Sequence, residues 1–207
     1  MVDQVLALLP FEPPIYAEHG VDAVFVGHPK ADEAPDTVDV ARARQQLGIE
    51  APAVVAVMPG SRSGEVGRLG PVFAEAMRRI GEARPEVHFV IPAARPDLVA
   101  PIRAHLDQAR VDPHRVSLVE RNGQAAMSAA DVVLQASGTA VLEAALLRKP
   151  AVAAYRVAPL TYVLARYVFR LNLAHYTLPN LLTEEPLVPE FMQQDGGQFI
   201  RLQLIDQ

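Results

Sequence analysis

VVAVMPGSRSGEV, residues 54–66, decides how the rest of the chain is read. Val54, Val55, Ala56, Val57 and Met58 form an apolar run that stops at Pro59-Gly60. A short β-branched run bounded by turn residues reads as a buried strand. Just past its tip come Ser61, the cation Arg62 and, beyond another glycine, the acid Glu65. Ligands of open α/β sheets bind beyond the carboxyl ends of the strands. Gly60 and Ser61 would let a ligand approach the backbone amides, and Arg62 would offer a phosphate a forked, charge-assisted hydrogen bond. An ordinary strand-to-helix turn with a solvated arginine looks the same in one dimension, so the motif alone leaves both readings open. It is neither GxGxxG nor the phosphate loop that ends in Lys-Ser/Thr.

Similar runs recur along the chain at Val5–Leu9, Ala23–Val26, His88–Ile91, Val116–Val119, Val132–Gln135 and Ala151–Ala154. Helical patterns alternate with them near 40–47, 71–83, 97–109, 123–129, 139–148 and 159–171. The helix at 71–83 is expected to open at Pro71, a favoured first-turn residue, with Val72, Phe73, Ala76, Met77 and Ile80 on one face. Strands apolar on both faces are those of a parallel sheet covered on both sides. The fold class expected is therefore α/β, a Rossmann-like doubly wound parallel sheet. Residues 28–39, polar and proline-bearing, read as a linker.

Composition narrows the function classes. Of 207 residues, 50% are hydrophobic and 21% charged, which places the chain among globular proteins with a real core. A net charge of −5 gives no support to nucleic-acid binding. The absence of cysteine excludes disulfides, thiolate zinc sites and cysteine nucleophiles. His19, His28, His88, His105, His114 and His175 lack the spacing of a metal site, so neither metal nor cofactor is expected. No apolar stretch reaches the ~18 residues of a membrane-spanning helix, and the N-terminus lacks the basic leader of a signal peptide.

A second strand end carries chemistry. In ADVVLQASGTAVLEAALLRKP, 130–150, the strand closes on Ser137-Gly138-Thr139 and runs into a helix. Ser137 or Thr139 is expected to cap that helix, whose positive end favours a phosphate. Glu143, one turn later on the same face, is placed to accept two hydrogen bonds from a ribose diol. A helix-dipole glutamate beside a capping residue is the plainer reading of that motif alone. Two strand-end anion sites in one sheet together suggest a nucleoside diphosphate.

LPFEPPIYAEHGVDAVFVGHP, MPGSRSGEV, ASGTAVLEAALLRKPAVAAYRV and LPNLL…VPEFMQ also resemble, in order, the signature blocks of the lipid-A-disaccharide synthase family, glycosyltransferase family 19, from Val5 to about Gln193. The resemblance implies one half of a GT-B glycosyltransferase fold, the C-terminal, donor-binding half. It implies inverting transfer of 2,3-diacylglucosamine from UDP-2,3-diacylglucosamine to 2,3-diacylglucosamine 1-phosphate (lipid X), with release of UDP, in the cytoplasm at the inner membrane, and a homodimer for the intact enzyme. It carries substrate-binding roles onto Gly60, Ser61, Arg62, Glu65, Ser137, Gly138, Thr139 and Glu143, and onto Asn180 and Gln193 as polar positions flanking the cleft. In VERNGQAAM, where GT-B enzymes hold the base through backbone groups, Gly123 matches; Arg121-Asn122 departs from the more glycine-rich form.

The resemblance divides the chain into 1–38, an inter-domain segment and linker; 39–194, the donor domain; and 195–207, an atypical tail. It also implies that the chain is cut short at both ends, with the general base in the N-terminal domain. Between 155 and 180, tyrosines interleave with arginines. On a helix over 159–171, Tyr162, Arg166 and Arg170 share a stripe suited to membrane headgroups or an acylated ligand, or to an ordinary surface face. The competing readings are a catalytically inert UDP-binding fragment and another GT-B sugar-nucleotide enzyme, such as the lipid II-forming N-acetylglucosaminyltransferase or a UDP-sugar 2-epimerase.

Overall fold

The computed structural model describes residues 3–156 and 175–192. Its contacts divide the chain into a unit ending at Asp36 and one beginning at Thr37. In the first unit, strands β1 (Val5–Ala7) and β2 (Ala23–Phe25) pair in parallel through the connecting helix α1 (Glu12–Glu18). Helix α1 was not expected from EPPIYAE, yet prolines in a first turn cost nothing, because those amides have no partner within the helix. The segment read as a linker contains a further turn, α2 (Pro29–Asp32), capped by His28 Nδ1, which accepts from the amide of Lys30 at 3.1 Å.

Among the described residues the second unit is built on a six-stranded, all-parallel sheet. In chain order its elements are α3 (Val40–Leu47), β3 (Ala53–Met58), α4 (Ser63–Ala83), β4 (Val87–Ala93), α5 (Val99–Ala109), β5 (Val116–Glu120), α6 (Gly123–Ala129), β6 (Val132–Ala136), α7 (Thr139–Leu146), β7 (Ala151–Tyr155), α8 (Leu178–Leu182) and β8 (Glu190–Met192). The spatial order is β5-β4-β3-β6-β7-β8. This is the dinucleotide-fold order, in which the chain steps outward from β3 in one direction and then returns to build from its other side. The crevice lies where the direction reverses, between the tips of β3 and β6.

Both faces of the sheet are dry. Val55, Val57, Phe89, Ile91 and Leu134 pack under α4 and α5. Val54, Ala56, Val90 and Val133 point the other way, beneath α3, α6 and α7. Strand alternation therefore sorts apolar side chains between two cores, which is why these strands read as continuous apolar runs. An ion-pair staple closes one side. Arg44 of α3 donates from Nη2 to both carboxylate oxygens of Asp131 (2.9 and 2.8 Å) and from Nε to the carbonyl of Ala129 (2.9 Å), while Asp131 also accepts from the amide of Val54 (2.8 Å).

Helix α4 corrects the expectation that Pro71 opens it. The helix begins at Ser63 and carries Pro71 in its interior. An internal proline forfeits one backbone hydrogen bond and crowds the carbonyl four residues back. Here that carbonyl belongs to Gly67, and burial prevails: Val66 and Leu69 extend the stripe of Phe73, Met77 and Ile80 into the core. Gln135 of β6 is a second exception to local rules. It is fully buried, and neither end of its amide has a partner among the described residues.

Candidate functional site

Four strand ends at the carboxyl edge of the sheet line a cavity of about 660 Å³ with three walls. Met58 to Arg62 and Glu65 form one wall, after β3; Ala136 to Ala140 form the second, after β6. Pro92, Ala94, Arg121 and Gly123, beyond β4 and β5, form the third. Seven residues singled out from both strand-end motifs, Gly60, Ser61, Arg62, Glu65, Ser137, Gly138 and Thr139, therefore share one cavity with Gly123. It sits at the strand-order reversal, where sheets of this topology take their ligands.

The β3 loop is built differently from the expectation. Glu65, at the third position of α4, reaches back so that one carboxylate oxygen accepts from the amides of Ser61 (2.9 Å) and Arg62 (3.2 Å). The other oxygen accepts from Nη1 of Arg62 at 3.1 Å. A carboxylate at N3 closing back on the N-cap amide is the glutamate half of a capping box. The amides expected to face a phosphate are thus occupied by this chain's own acid. Gly60 has its reason in the same place: its φ is +112°, and a Cβ there would lie 2.6 Å from both Cβ and Oε2 of Glu65. The glycine makes room for Glu65, which corrects its assignment to close phosphate approach. What the loop presents to the cavity is the Arg62 side chain, 82% exposed.

The β6 loop keeps its amides open. Neither Ser137 nor Thr139 caps α7, contrary to expectation; the N-cap is Gly138, with no side-chain hydrogen bond. Ser137 instead donates from Oγ to the carbonyl of Tyr176 (3.3 Å) and from its amide to Ala154 (2.8 Å). The amides of Thr139 and Ala140 have no acceptor among the described residues. A helix start left uncapped beside a cavity carries partial positive charge and free donors. A Cβ added to Gly138 would meet nothing within 4 Å.

Other expected residues lie elsewhere. Glu143 is half-buried one turn into α7 and is not among the residues that line the cavity. Asn180, expected to flank the cleft, is buried and bound within its own segment. Its Oδ1 accepts from the amides of Leu187 and Val188, and its Nδ2 donates to Glu190 and to the carbonyl of Val188. Glu190 in turn accepts from the amides of Tyr176 and Thr177 and from Thr177 Oγ1, which ties α8 to β8 at the sheet edge. Asn180 is thus a structural residue here. Tyr162, Arg166, Arg170 and Gln193 fall outside the described residues.

Arg121 was noted in the sequence only as a departure from a glycine-rich loop. It lines the third wall with a left-handed backbone, φ 52°. For a residue with a Cβ that conformation costs about 1–2 kcal/mol. A glycine signature in that loop was the cue to its geometry; that a long cation there would line the cavity was not legible.

The lipid-A-disaccharide synthetase family model matches residues 1–202. The chain belongs to that family. Over 194 residues it is 47% identical to the lipid-A-disaccharide synthase of Xanthomonas euvesicatoria pv. vesicatoria (strain 85-10), covering 93% of this chain and 44% of that one. The corresponding synthase of Xylella fastidiosa (strain M23) is 48% identical over 195 residues, covering 94% and 51%. The chain spans about half the length of the curated family members it matches. Among solved structures, Methanocaldococcus jannaschii UDP-GlcNAc 2-epimerase, in complex with UDP-GlcNAc and UDP, superposes with a TM-score of 0.61 at 11% identity, over 99% of this chain and 53% of its own. Anabaena Alr3699/HepE, in complex with UDP and glucose, gives 0.57 at 19% identity, over 100% and 53%. At those identities the likeness is one of fold. It agrees with the expected half of a GT-B glycosyltransferase, here with the family's sequence upon it.

Proposed function

We propose that this chain is the donor-nucleotide half of a lipid-A-disaccharide synthase, and that the cavity at the strand reversal holds the diphosphate of UDP-2,3-diacylglucosamine. The observation that carries the reading is the uncapped start of α7 sharing one cavity with the exposed guanidinium of Arg62. Free amides and a helix dipole on one side, with a forked cation on the other, suit a group bearing two or more negative charges.

In the transfer of 2,3-diacylglucosamine to lipid X, negative charge grows on the departing UDP. Arg62 and the amides of Thr139 and Ala140 would stabilise that charge in the transition state. Glu143, one turn along α7, is assigned to the ribose hydroxyls. Among the described residues Glu65 is the only carboxylate lining the cavity, and three donors already engage it. We therefore assign the general base and the acceptor site to the part of the relatives that this chain does not span. The same observation favours a second reading for this polypeptide by itself, a chain that binds donor nucleotide without turning it over. Segment 1–38 is taken as the inter-domain segment and 39–194 as the donor domain.

Calorimetric titration with UDP tests the site. UDP is expected to bind more tightly than UMP, and Arg62→Ala to weaken UDP about tenfold with little change in melting temperature. Glu143→Gln should narrow the preference for UDP over 2′-deoxyuridine diphosphate. Equal UDP affinity in the Arg62 variant would remove the assignment. The membrane surface, through Tyr162, Arg166 and Arg170, and a homodimer of the intact enzyme belong to the same proposal. Among the described residues no helix is long and apolar enough to cross a membrane. Co-sedimentation with anionic vesicles tests peripheral attachment, which a chain left in the supernatant would exclude.

A further inference from the structure

The cavity holds a cation that the diphosphate reading does not use. Arg121 lines it, and no hydrogen bond or ion pair engages its guanidinium among the described residues. Among the described residues two other arginines, Arg110 and Arg148, share its positive φ, but both close helices, where the left-handed conformation is ordinary. Arg121 follows a strand. Its amide donates to the carbonyl of Ala93 at 2.9 Å, extending the β4–β5 ladder one step beyond Glu120, and the chain then turns into α6. A glycine would make this turn without strain. The backbone here retains a glycine's geometry while presenting a long, donor-rich side chain to the cavity.

Strand order fixes what that side chain can meet. The tips of β5 and β6 are separated by three strand spacings, ~14 Å at the usual spacing of parallel neighbours. An anion held at Arg62 and the start of α7 therefore lies far across the cavity from Arg121. The group within its reach is an end of a ligand so anchored, and the end that a donor-rich cation without acceptors reads is the base, whose ring carbonyls accept. The rest of this wall, Pro92, Ala94 and Gly123, offers no polar side chain.

We propose that Arg121 is a nucleobase-binding and specificity-determining residue: its forked guanidinium donates, in the plane of the pyrimidine, to a ring carbonyl. A guanidinium has five donors and no acceptor. It therefore suits uracil, with two carbonyl oxygens, better than cytosine, where an amino group replaces one of them. The rigid fork fixes the direction of that donation, which the rotating ammonium of a lysine would not. The proposal rests on the diphosphate site described above.

The experiment is calorimetric titration of the 207-residue chain and its Arg121→Gly and Arg121→Lys variants with UDP, CDP and inorganic pyrophosphate, accompanied by thermal melts. Arg121→Gly is expected to weaken UDP about tenfold, the scale of one charge-assisted contact, and to draw the UDP-to-CDP preference towards unity. It should leave pyrophosphate affinity unchanged and raise the melting temperature, because the left-handed turn becomes free of strain. Arg121→Lys, which keeps the charge and loses the plane, should behave more like the glycine variant than like the parent. Unchanged UDP affinity in Arg121→Gly overturns the proposal. Equal losses for UDP and pyrophosphate also overturn it, by placing Arg121 on the phosphates. A parent chain that binds pyrophosphate and UDP equally well has no base contact, which refutes this inference and leaves the diphosphate site standing. Failure of the parent chain to bind either ligand refutes the diphosphate site, and the base contact with it.

Discussion

Gly70→Ala should destabilise this protein, although alanine is the better helix former. In an α-helix interior the exchange is worth about 1 kcal/mol in favour of alanine. Gly70 lies in α4 beneath the imidazole of His105 on α5, so a methyl group has nowhere to go. A Cβ there would stand 3.0 Å from Nε2 and 3.2 Å from Cγ of His105, with Cδ2 nearer still. Overpacking of this kind costs about 1–3 kcal/mol. With three ring atoms crowded, the upper part of that range applies, and the net loss should be about 1–2 kcal/mol. The decisive control is His105→Ala, which removes the three ring atoms nearest the new methyl. In that background Gly70→Ala should stabilise by about 1 kcal/mol, reversing its sign. Urea denaturation of the four chains, read by far-ultraviolet circular dichroism at constant m-value, measures the cycle. The same sign in both backgrounds would refute the knob-in-glycine account of the α4–α5 contact.

Two further outcomes follow from side chains already described. Gln135→Leu should raise stability by about 1–3 kcal/mol, since it replaces a fully buried amide whose two ends find no partner among the described residues; a lower denaturation midpoint would show that the amide is satisfied in solution. Hydrogen bonds from Arg78 and then Arg79 hold the carboxyl of Glu75 down at about 2 from 4.5. A depressed carboxylate contributes stability above its unfolded pKa and loses it as pH falls through the folded one. Glu75→Gln should therefore flatten the stability profile between pH 4.5 and about 2. The effect should stay below ~1 kcal/mol because the pair is a third exposed. Parallel profiles for parent and variant would contradict the assignment.

The sheet was legible because its strands obey a rule that needs no partner to be known. Val54–Met58 and Val132–Gln135 are apolar on both faces and end in turn residues, and helices α3 and α6 fall where the periodicity places them. The start of α4 was not legible, because Pro71 as a helix opener is a local preference, while the burial of Val66 and Leu69 is a property of the assembled core. The very short β8 becomes a strand by pairing with β7, Glu190 beside Ala153, a partnership that no local pattern announces. The site was legible as a set of positions and less so as a set of roles. Gly60, Arg62, Gly138 and Thr139 converge as expected. Whether the loop amides face a ligand or Glu65 depends on the helix starting at Ser63, which puts Glu65 at the capping-box position and was hidden while Pro71 was read as the opener. Asn180 shows the opposite limit: a polar residue in a motif reads as a ligand contact until the backbone it holds is visible.

The reversal of strand order also has a kinetic side. The first three strands of the large sheet, β3 to β5, are chain neighbours and can pair as they emerge, whereas β3 must wait for β6, bringing Val55 beside Val132. Contacts that span so much intervening chain are the slow ones in folding. The cavity has no wall at Gly138 until that pairing is complete. A nucleotide present during refolding would thus be blind to an intermediate made of β3, β4 and β5 alone, and would begin to bind only as the last half of the sheet docks. Ligand uptake followed in time would then act as a clock for the closure of the sheet, lagging behind the recovery of helical signal.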